Sequence, residues 1–304
     1  MKHVVSVSLG SSKGDKVYET RLLGHDVLIE RIGVDGDFEA FRNKVLSLDG
    51  KVDAIGIGGA DLYLVAAGKR YAFRQILQVA NQLKETPIVD GSGLKHTLER
   101  KAIHILQEAI DFPKLTTLLV IAVDRFGMAQ GLEEVGAKVI YGDLMFSLGL
   151  PIALRSKTSI DRIGALALPV VTQLPFKWFY PTGDQQHERK PRFGKIFDEA
   201  DVIAGDKHAI FRNMPASLKG KIMITQSVRK SDVEELQSAG LKTLYTTTPV
   251  MGGETFATNV MEAVVVAALE KKPGEPSEQD FETALNAIGW RPGEMKLNGE
   301  PNSL

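Results

Sequence analysis

The chain of 304 residues contains no cysteine. That absence excludes disulfides, thiolate metal sites and cysteine nucleophiles, and it makes a reducing cytoplasm the expected compartment. Nor is there a run approaching the roughly 18 uninterrupted apolar residues of a membrane span. The longest apolar tract, "ATNVMEAVVVAALEKK", is broken by Asn259 and Glu262 and suits a buried helix. The opening stretch, "MKHVVSVSLGSSKGDK", has a short apolar run interrupted by serines and does not read as a signal peptide. Excess charge of one sign is lacking too. Lys and Arg total 37 against 38 Asp and Glu, a formal charge of −1 that gives no global attraction to nucleic acid or to an anionic membrane. The six histidines are dispersed, with no H-x-x-x-H pair, so no metal site is expected. No P-loop ending in GKS or GKT occurs.

What is present is ordinary globular material: 43% apolar and 25% charged residues, in a chain long enough for two domains with separate cores. "KHVVSVSL" reads as a first strand. "VYETRLLGHDVLIERIG" reads as a hairpin turning near Gly24, and "FEAFRNKVLSL" as a helix capped by Asp37. "VDAIGIGG" is a buried strand, and "LKHTLERKAIHILQEAI" is a long helix that ends before Pro113. Beyond it, "LTTLLVIAV", "AKVIYGD", "ADVIAGD", "KIMITQS" and "KTLYTTT" are five strands, aliphatic enough to be buried on both faces. Helical patterns separate them, including "SDVEELQSAG" with a capping box of Ser231 and Glu234. Strands alternating with helices imply right-handed βαβ units and parallel sheets. The expected class is therefore α/β with two domains. Residues 1–113 would form a small α/β substrate domain and residues 114–304 a Rossmann-like, doubly wound parallel-sheet domain with C-terminal helices. The stretch 174–195, rich in Pro, aromatics and charge, is expected to be a long surface loop, and the last dozen residues a loose tail.

Residues 120–143, "VIAVDRFGMAQGLEEVGAKVIYGD", have the strand–turn–helix–strand shape of a dinucleotide unit, but Asp124-Arg125-Phe126-Gly127 stands where glycines are expected. A carboxylate near a pyrophosphate is unfavourable, by ~4 kcal/mol per unit charge at about 4 Å and an effective dielectric of about 20. Asp143 ends the second strand, 19 residues after Asp124, where an acid would bind adenine-ribose hydroxyls and favour NAD over NADP. The same residues also fit a plain βαβ unit in which Asp143 merely begins a turn, and the turn alone does not decide. Other candidates are Ser6, Ser8, Ser11 and Ser12 near the end of the first strand, where hydroxyls and amides suit a carboxylate, a phosphate or a polyol. Asp90 and Lys95 flank a glycine turn, Lys69 follows another, and Thr247 and Thr248 enter the turn after the last strand. Each of these also has a purely structural reading as a cap or a polar turn.

The order of these features resembles the shikimate/quinate dehydrogenase family, in particular a divergent bacterial quinate 5-dehydrogenase group. Stretches such as "VDGSGLKHTLER", "AVDRFGMA", "GDLMF" and "TNVMEA" carry the resemblance. It implies an NAD-dependent oxidoreductase acting on the secondary alcohol of a small hydroxy acid. The carboxylate would lie at Ser6 and Ser8 or at Ser11 and Ser12, with Lys69 (Lys95 in reserve) and Asp90 as catalytic residues. NAD would lie along Asp124, Arg125, Phe126, Gly127, Asp143, Thr247 and Thr248. The implied partner is a small anionic substrate, with no nucleic acid and no membrane, in a possible homodimer. The chain departs from the family at the glycine turn and around Lys69, where N-V-T-x-P-x-K is missing. The other reading is a non-redox two-domain protein that binds another anionic metabolite, its cofactor site degenerate.

Overall fold

The structure is a computed structural model that describes residues 1–175, 190–248, 250–251, 254–255, 257–272 and 275–298. The chain divides into two compact units. The first comprises Met1–Leu98, the described part of Gly164–Gln186 and Met251–Trp290; the second comprises Glu99–Ile163, the described part of His187–Val250 and the C-terminal stretch from Arg291. The α/β class and the two-unit organisation agree with the sequence. The expected boundary after residue 113 lies inside the second unit, and the chain passes between units at α3 and α6 as well as near residue 250. No periodicity in sequence marks such returns, because they depend on which core a segment finally covers.

The first unit begins with β1 (Lys2–Ser8), the hairpin β2 (Lys16–Leu22) and β3 (His25–Gly33), α1 (Phe38–Ser47) and β4 (Ala54–Gly58). A short hairpin, β5 (Tyr63–Ala66) and β6 (Lys69–Ala72), precedes α2 (Arg74–Ala80), β7 (Ile88–Val89) and α3 (Ser92–Leu106). The sheet order is β2-β3-β1-β4-β7, parallel except for the β2 edge. Central β1 is flanked on both sides, so Val4, Val5 and Val7 are all fully buried. Asp37 begins α1 by accepting a hydrogen bond from the Ala40 amide at 3.0 Å, as its position before the apolar pattern predicts.

The second unit contains β8 (Thr116–Leu119), α4 (Phe126–Glu134), β9 (Lys138–Tyr141), the single turn α5 (Asp143–Phe146) and the beginning of α6 (Lys157–Val171). It continues with α7 (Gly194–Glu199), β10 (Val202–Ala204), α8 (Lys207–Asn213), β11 (Ile222–Thr225), α9 (Lys230–Ser238) and β12 (Thr243–Thr246). β13 (Val250–Met251) and β14 (Glu254–Thr255) form a two-stranded ribbon. The chain then adds α10 (Thr258–Leu269) and α11 (Glu278–Ala287) to the first unit, and β15 (Gly293–Lys296) to the second. The second sheet runs β15-β12-β11-β10-β8-β9, with five parallel strands and antiparallel β15 at the edge. By their order along the chain, the parallel strands read 2-1-3-4-5, so the winding direction reverses between β8 and β10.

Two local expectations differ from the structure. The loose tail contains β15, which pairs along β12 and covers what would otherwise be an open edge. α9 starts one residue before Ser231, with Arg229 at its N-cap, and the Asp232 carboxylate rather than Glu234 reaches back to accept from the N-cap amide, that of Arg229, at 2.7 Å. Most of the expected 174–195 loop lies outside the described residues.

α10 is apolar all round and buried from Asn259 through Ala267. It packs on β1 and β4 so closely that a Cβ at Gly56 would come within 2.9 Å of the Asn259 carbonyl oxygen, so glycine is required there.

Candidate functional site

In a doubly wound sheet, ligands bind beyond the carboxyl ends of the strands where the winding reverses. In the second unit that place lies between the ends of β8 and β10, and the segments that follow three strands around it each carry an aspartate. Asp124 follows β8, Asp143 follows β9 and Asp206 follows β10. Arg125 is the centre of the group. Its guanidinium donates to Glu99 at 2.5 Å, to Asp206 at 2.9 Å and to Asp124 at 3.1 Å. Burial would lower the basicity of Arg125, but the charges of Glu99, Asp124 and Asp206 outweigh it and hold the proton more firmly than usual.

Asp206 is fixed from several sides. It caps α8 by accepting from the Ala209 amide at 3.0 Å, and Gln226 Nε2 donates to it at 2.7 Å. Gln226 is itself oriented, because its Oε1 accepts from the Lys207 amide and the Thr225 hydroxyl. Burial works to raise Asp206, yet Arg125, His208 and these hydrogen bonds win and hold it well below the usual carboxylate range. Gly205, immediately before it, has φ +129°, and a Cβ there would stand 2.6 Å from Val120 Cγ2. Only glycine lets β10 approach β8 closely at this point.

One guanidinium against three carboxylates gives this cluster a formal charge of 1 − 3 = −2. The Asp124 and Asp206 side chains keep 12% and 21% of their surface exposed, whereas Glu99 has none. The crevice thus shows a solvent-facing edge rich in hydrogen-bond acceptors, over a guanidinium already committed to its own carboxylates.

Asp143 does not face outward to a ribose. Its Oδ1 accepts from the Ala122 and Val123 amides at 2.9 and 3.0 Å, while Oδ2 is buried without a hydrogen-bond partner. Burial pushes its pKa up to about 6, against the pull of those two amides and with the repulsion of Asp124. The carboxylate therefore occupies the turn itself, taking amides that would otherwise be available to a phosphate. Phe126 and Gly127 open α4, and Lys157 stands over the Phe126 ring at 5.3 Å. Thr247 and Thr248 are buried, and their amides extend the β11–β12 pairing by donating to Thr225 and Gln226 carbonyls.

The remaining candidates lie in the first unit, and they do not form one catalytic group. Lys69 is exposed on β6 of the small hairpin. Lys95 is buried and paired with Asp61 at 3.2 Å. Asp90 is consumed by backbone: Oδ2 accepts from the Leu62 and Tyr63 amides and Oδ1 from the Ser92 amide, all within 3.0 Å. Ser6 is buried and accepts from Asn259 Nδ2 at 2.8 Å. Ser8 accepts from the Gly10 amide and Arg31, Ser11 caps Lys13, and Ser12 bonds Asp35 through both its amide and its hydroxyl. These serines tie a loop together instead of presenting a carboxylate cradle. Glu262 accepts from the Gly93 and Leu94 amides at the start of α3; burial, then the Asp90 charge, push it up to about 8.

Sequence reading missed Glu99, Asp206 and Gln226. One signal could have found Asp206: "VIYGD" and "VIAGD" share an ending, so two strands deliver aspartate to one sheet edge. Glu99 gave no such signal, since an acid in an amphipathic helix is usually solvated.

A family model described as a domain of unknown function (DUF8754) matches residues 93–297, and a second such domain (DUF8753) matches residues 3–90. The chain belongs to the DUF8754 family, whose model covers 205 of its 304 residues. No curated protein matches it. Among solved structures, the chain is similar to a glucose-galactose binding protein from Geobacillus stearothermophilus, with 10% identity, 99% of both chains covered and a TM-score of 0.40. It is also similar to a galactofuranose binding protein (13% identity, 94% of this chain and 99% of that chain, TM-score 0.36). A third is the fructose binding periplasmic domain of a hybrid two-component system (9% identity, 97% and 91% covered, TM-score 0.38).

These findings correct the dehydrogenase expectation. The family models that match are domains of unknown function rather than dehydrogenase models, and the oxidoreductase activity, the NAD cofactor and the cytoplasmic setting that came with the resemblance are withdrawn. The geometry gives the physical reason for the first two. Asp143 fills the turn, Arg125 is sequestered by acids, and Lys69, Asp90 and Lys95 each have a different surrounding.

Proposed function

We propose that the chain is a non-redox protein that binds a small polar molecule at the crevice between β8 and β10 of its second unit. The observation that carries this reading is the Arg125 cluster at the point where the winding reverses, with its formal charge of −2 and its partly exposed Asp124 and Asp206 carboxylates. Such an edge accepts hydrogen bonds. It favours a ligand that brings donors, hydroxyls or an ammonium group, and repels phosphate. Here the reading departs from the anionic ligand expected from sequence, because the cluster's one cation is fully employed.

The test is a thermal-shift screen of neutral polyols, amino compounds, carboxylates and NAD⁺, followed by calorimetry on any hit and on Asp124→Asn and Asp206→Asn. A donor-rich ligand whose affinity falls at least about tenfold in either variant supports the reading. Preferential binding of carboxylates or NAD⁺, or a hit indifferent to both substitutions, defeats it.

A further inference from the structure

The first unit contains a groove of about 470 Å³ at the amino-terminal ends of β1, β4 and β7, beside the last turn of α10. That volume falls within the roughly 300–1,000 Å³ of small-molecule sites. Its apolar lining includes Leu83, Ile88, Val266 and Ala267, and its charged lining is Lys2, Lys84, Lys271 and Lys272 with Asp53, Glu85 and Glu270. Lys2 and Lys271 are committed to carboxylates, which leaves the ammonium groups of Lys84 and Lys272.

Both walls are built rather than incidental. On one side the Asp49 carboxylate accepts from three successive amides, Lys84 at 2.8 Å, Glu85 at 3.0 Å and Thr86 at 2.9 Å. Thr86 in turn accepts from the Gly50 amide at 2.8 Å. On the other side α10 ends at Glu270 with φ 53°, and the Lys271 and Lys272 amides are bonded to the Val266 carbonyl and to Glu275. Lys2 joins Asp53 and Glu270 at 3.4 and 3.0 Å, and Lys271 is held by Asp280 at 2.7 Å. Lys84 and Lys272 make no ion pair among the described residues, and both are exposed. A groove with an apolar lining and two exposed ammonium groups outside any ion pair among the described residues matches a particular chemistry.

We propose that this groove is a binding site for a small organic monoanion with an apolar body. The apolar part lies along the half-buried Ala80 and Leu83, and the charge is met by Lys84 and Lys272. The site is separate from the acceptor-rich crevice of the second unit and selects the opposite charge.

The experiment titrates the folded chain with octanoate, with octanamide as the neutral counterpart and acetate as the anion without a tail. Calorimetry gives affinity, and amide chemical shifts give location. Octanoate is expected to bind at least about tenfold more tightly than either control and to perturb amides 84–88 and 266–272. The double substitution Lys84→Glu and Lys272→Glu, at two exposed positions, is expected to weaken octanoate by a further factor of about ten with the thermal midpoint preserved. Absence of octanoate binding, equal binding of octanamide, shifts confined to other regions, or indifference to the double substitution in folded protein would each overturn the proposal.

Discussion

Arg125 Nη1 donates to Glu99 Oε1 at 2.5 Å, and the Glu99 side chain has no exposed surface. This pair anchors the candidate crevice: the helix α3 contributes the acid and the turn after β8 contributes the base. The pair is not a free gain in stability, since desolvating both charges offsets much of their attraction.

Removing one member exposes that cost. Arg125→Met leaves Glu99 buried without its counter-ion, and the loss expected is ~3–5 kcal/mol in urea unfolding. Replacing both, as Arg125→Met with Glu99→Leu, is expected to recover part of it, since Asp124 and Asp206 still lose the guanidinium. A single substitution costing less than ~1 kcal/mol would show that the pair is hydrated in solution.

Glu262 makes stability depend on pH. Its carboxyl titrates at about 8 when folded against an ordinary value of 4.5. The folded state therefore holds a proton that the unfolded state releases between those values. The contribution is fully present below pH 4.5 and is lost as pH rises through about 8. Glu262→Gln keeps an acceptor for Gly93 and Leu94 without the ionisation. It is expected to be nearly neutral at pH 5 and stabilising by a few kcal/mol, roughly 1.4 per pKa unit, at pH 9. Equal effects at both pH values would contradict the burial argument.

Asp143 behaves similarly in a lower window, from 3.8 to about 6. Asp143→Asn retains an oxygen for the Ala122 and Val123 amides, and is expected to raise the thermal midpoint at pH 7 while leaving it little changed at pH 4. Calorimetric unfolding at the two pH values is the measurement.

Gly205→Ala places a Cβ against Val120 at a φ of +129°. The expected loss is about 1–3 kcal/mol from overpacking and backbone strain together, against a few tenths for an exposed control such as Lys69→Ala. Chemical denaturation of the two variants decides it.

NAD⁺ is expected to give no calorimetric heat of binding at millimolar concentration, and Asp143→Ala is expected to change nothing in that result. Micromolar affinity abolished by the substitution would restore the ribose role that the inward carboxylate argues against.

Sequence by itself determined the α/β class, the buried parallel strands and most of the helix starts. These follow from local periodicity and capping: Val4, Val5 and Val7 in one run, and Asp37 before one helix. The first strand of the second unit reads in sequence through Val123, whereas β8 ends at Leu119, so Asp124 lies in the turn beyond it and Asp143 opens α5. What a side chain faces is not visible in the sequence. Asp143 turned inward because two turn amides needed an acceptor, and Asp90 was drawn to three amides for the same reason. The partners of Arg125 lie 26 residues before it and 81 residues after it, brought together only when β8 and β10 became neighbours. Tertiary structure alone decided that, since strand order is fixed by which buried faces pack and not by any local pattern. It likewise decided that α10 and α11 join the first core while β15 joins the second.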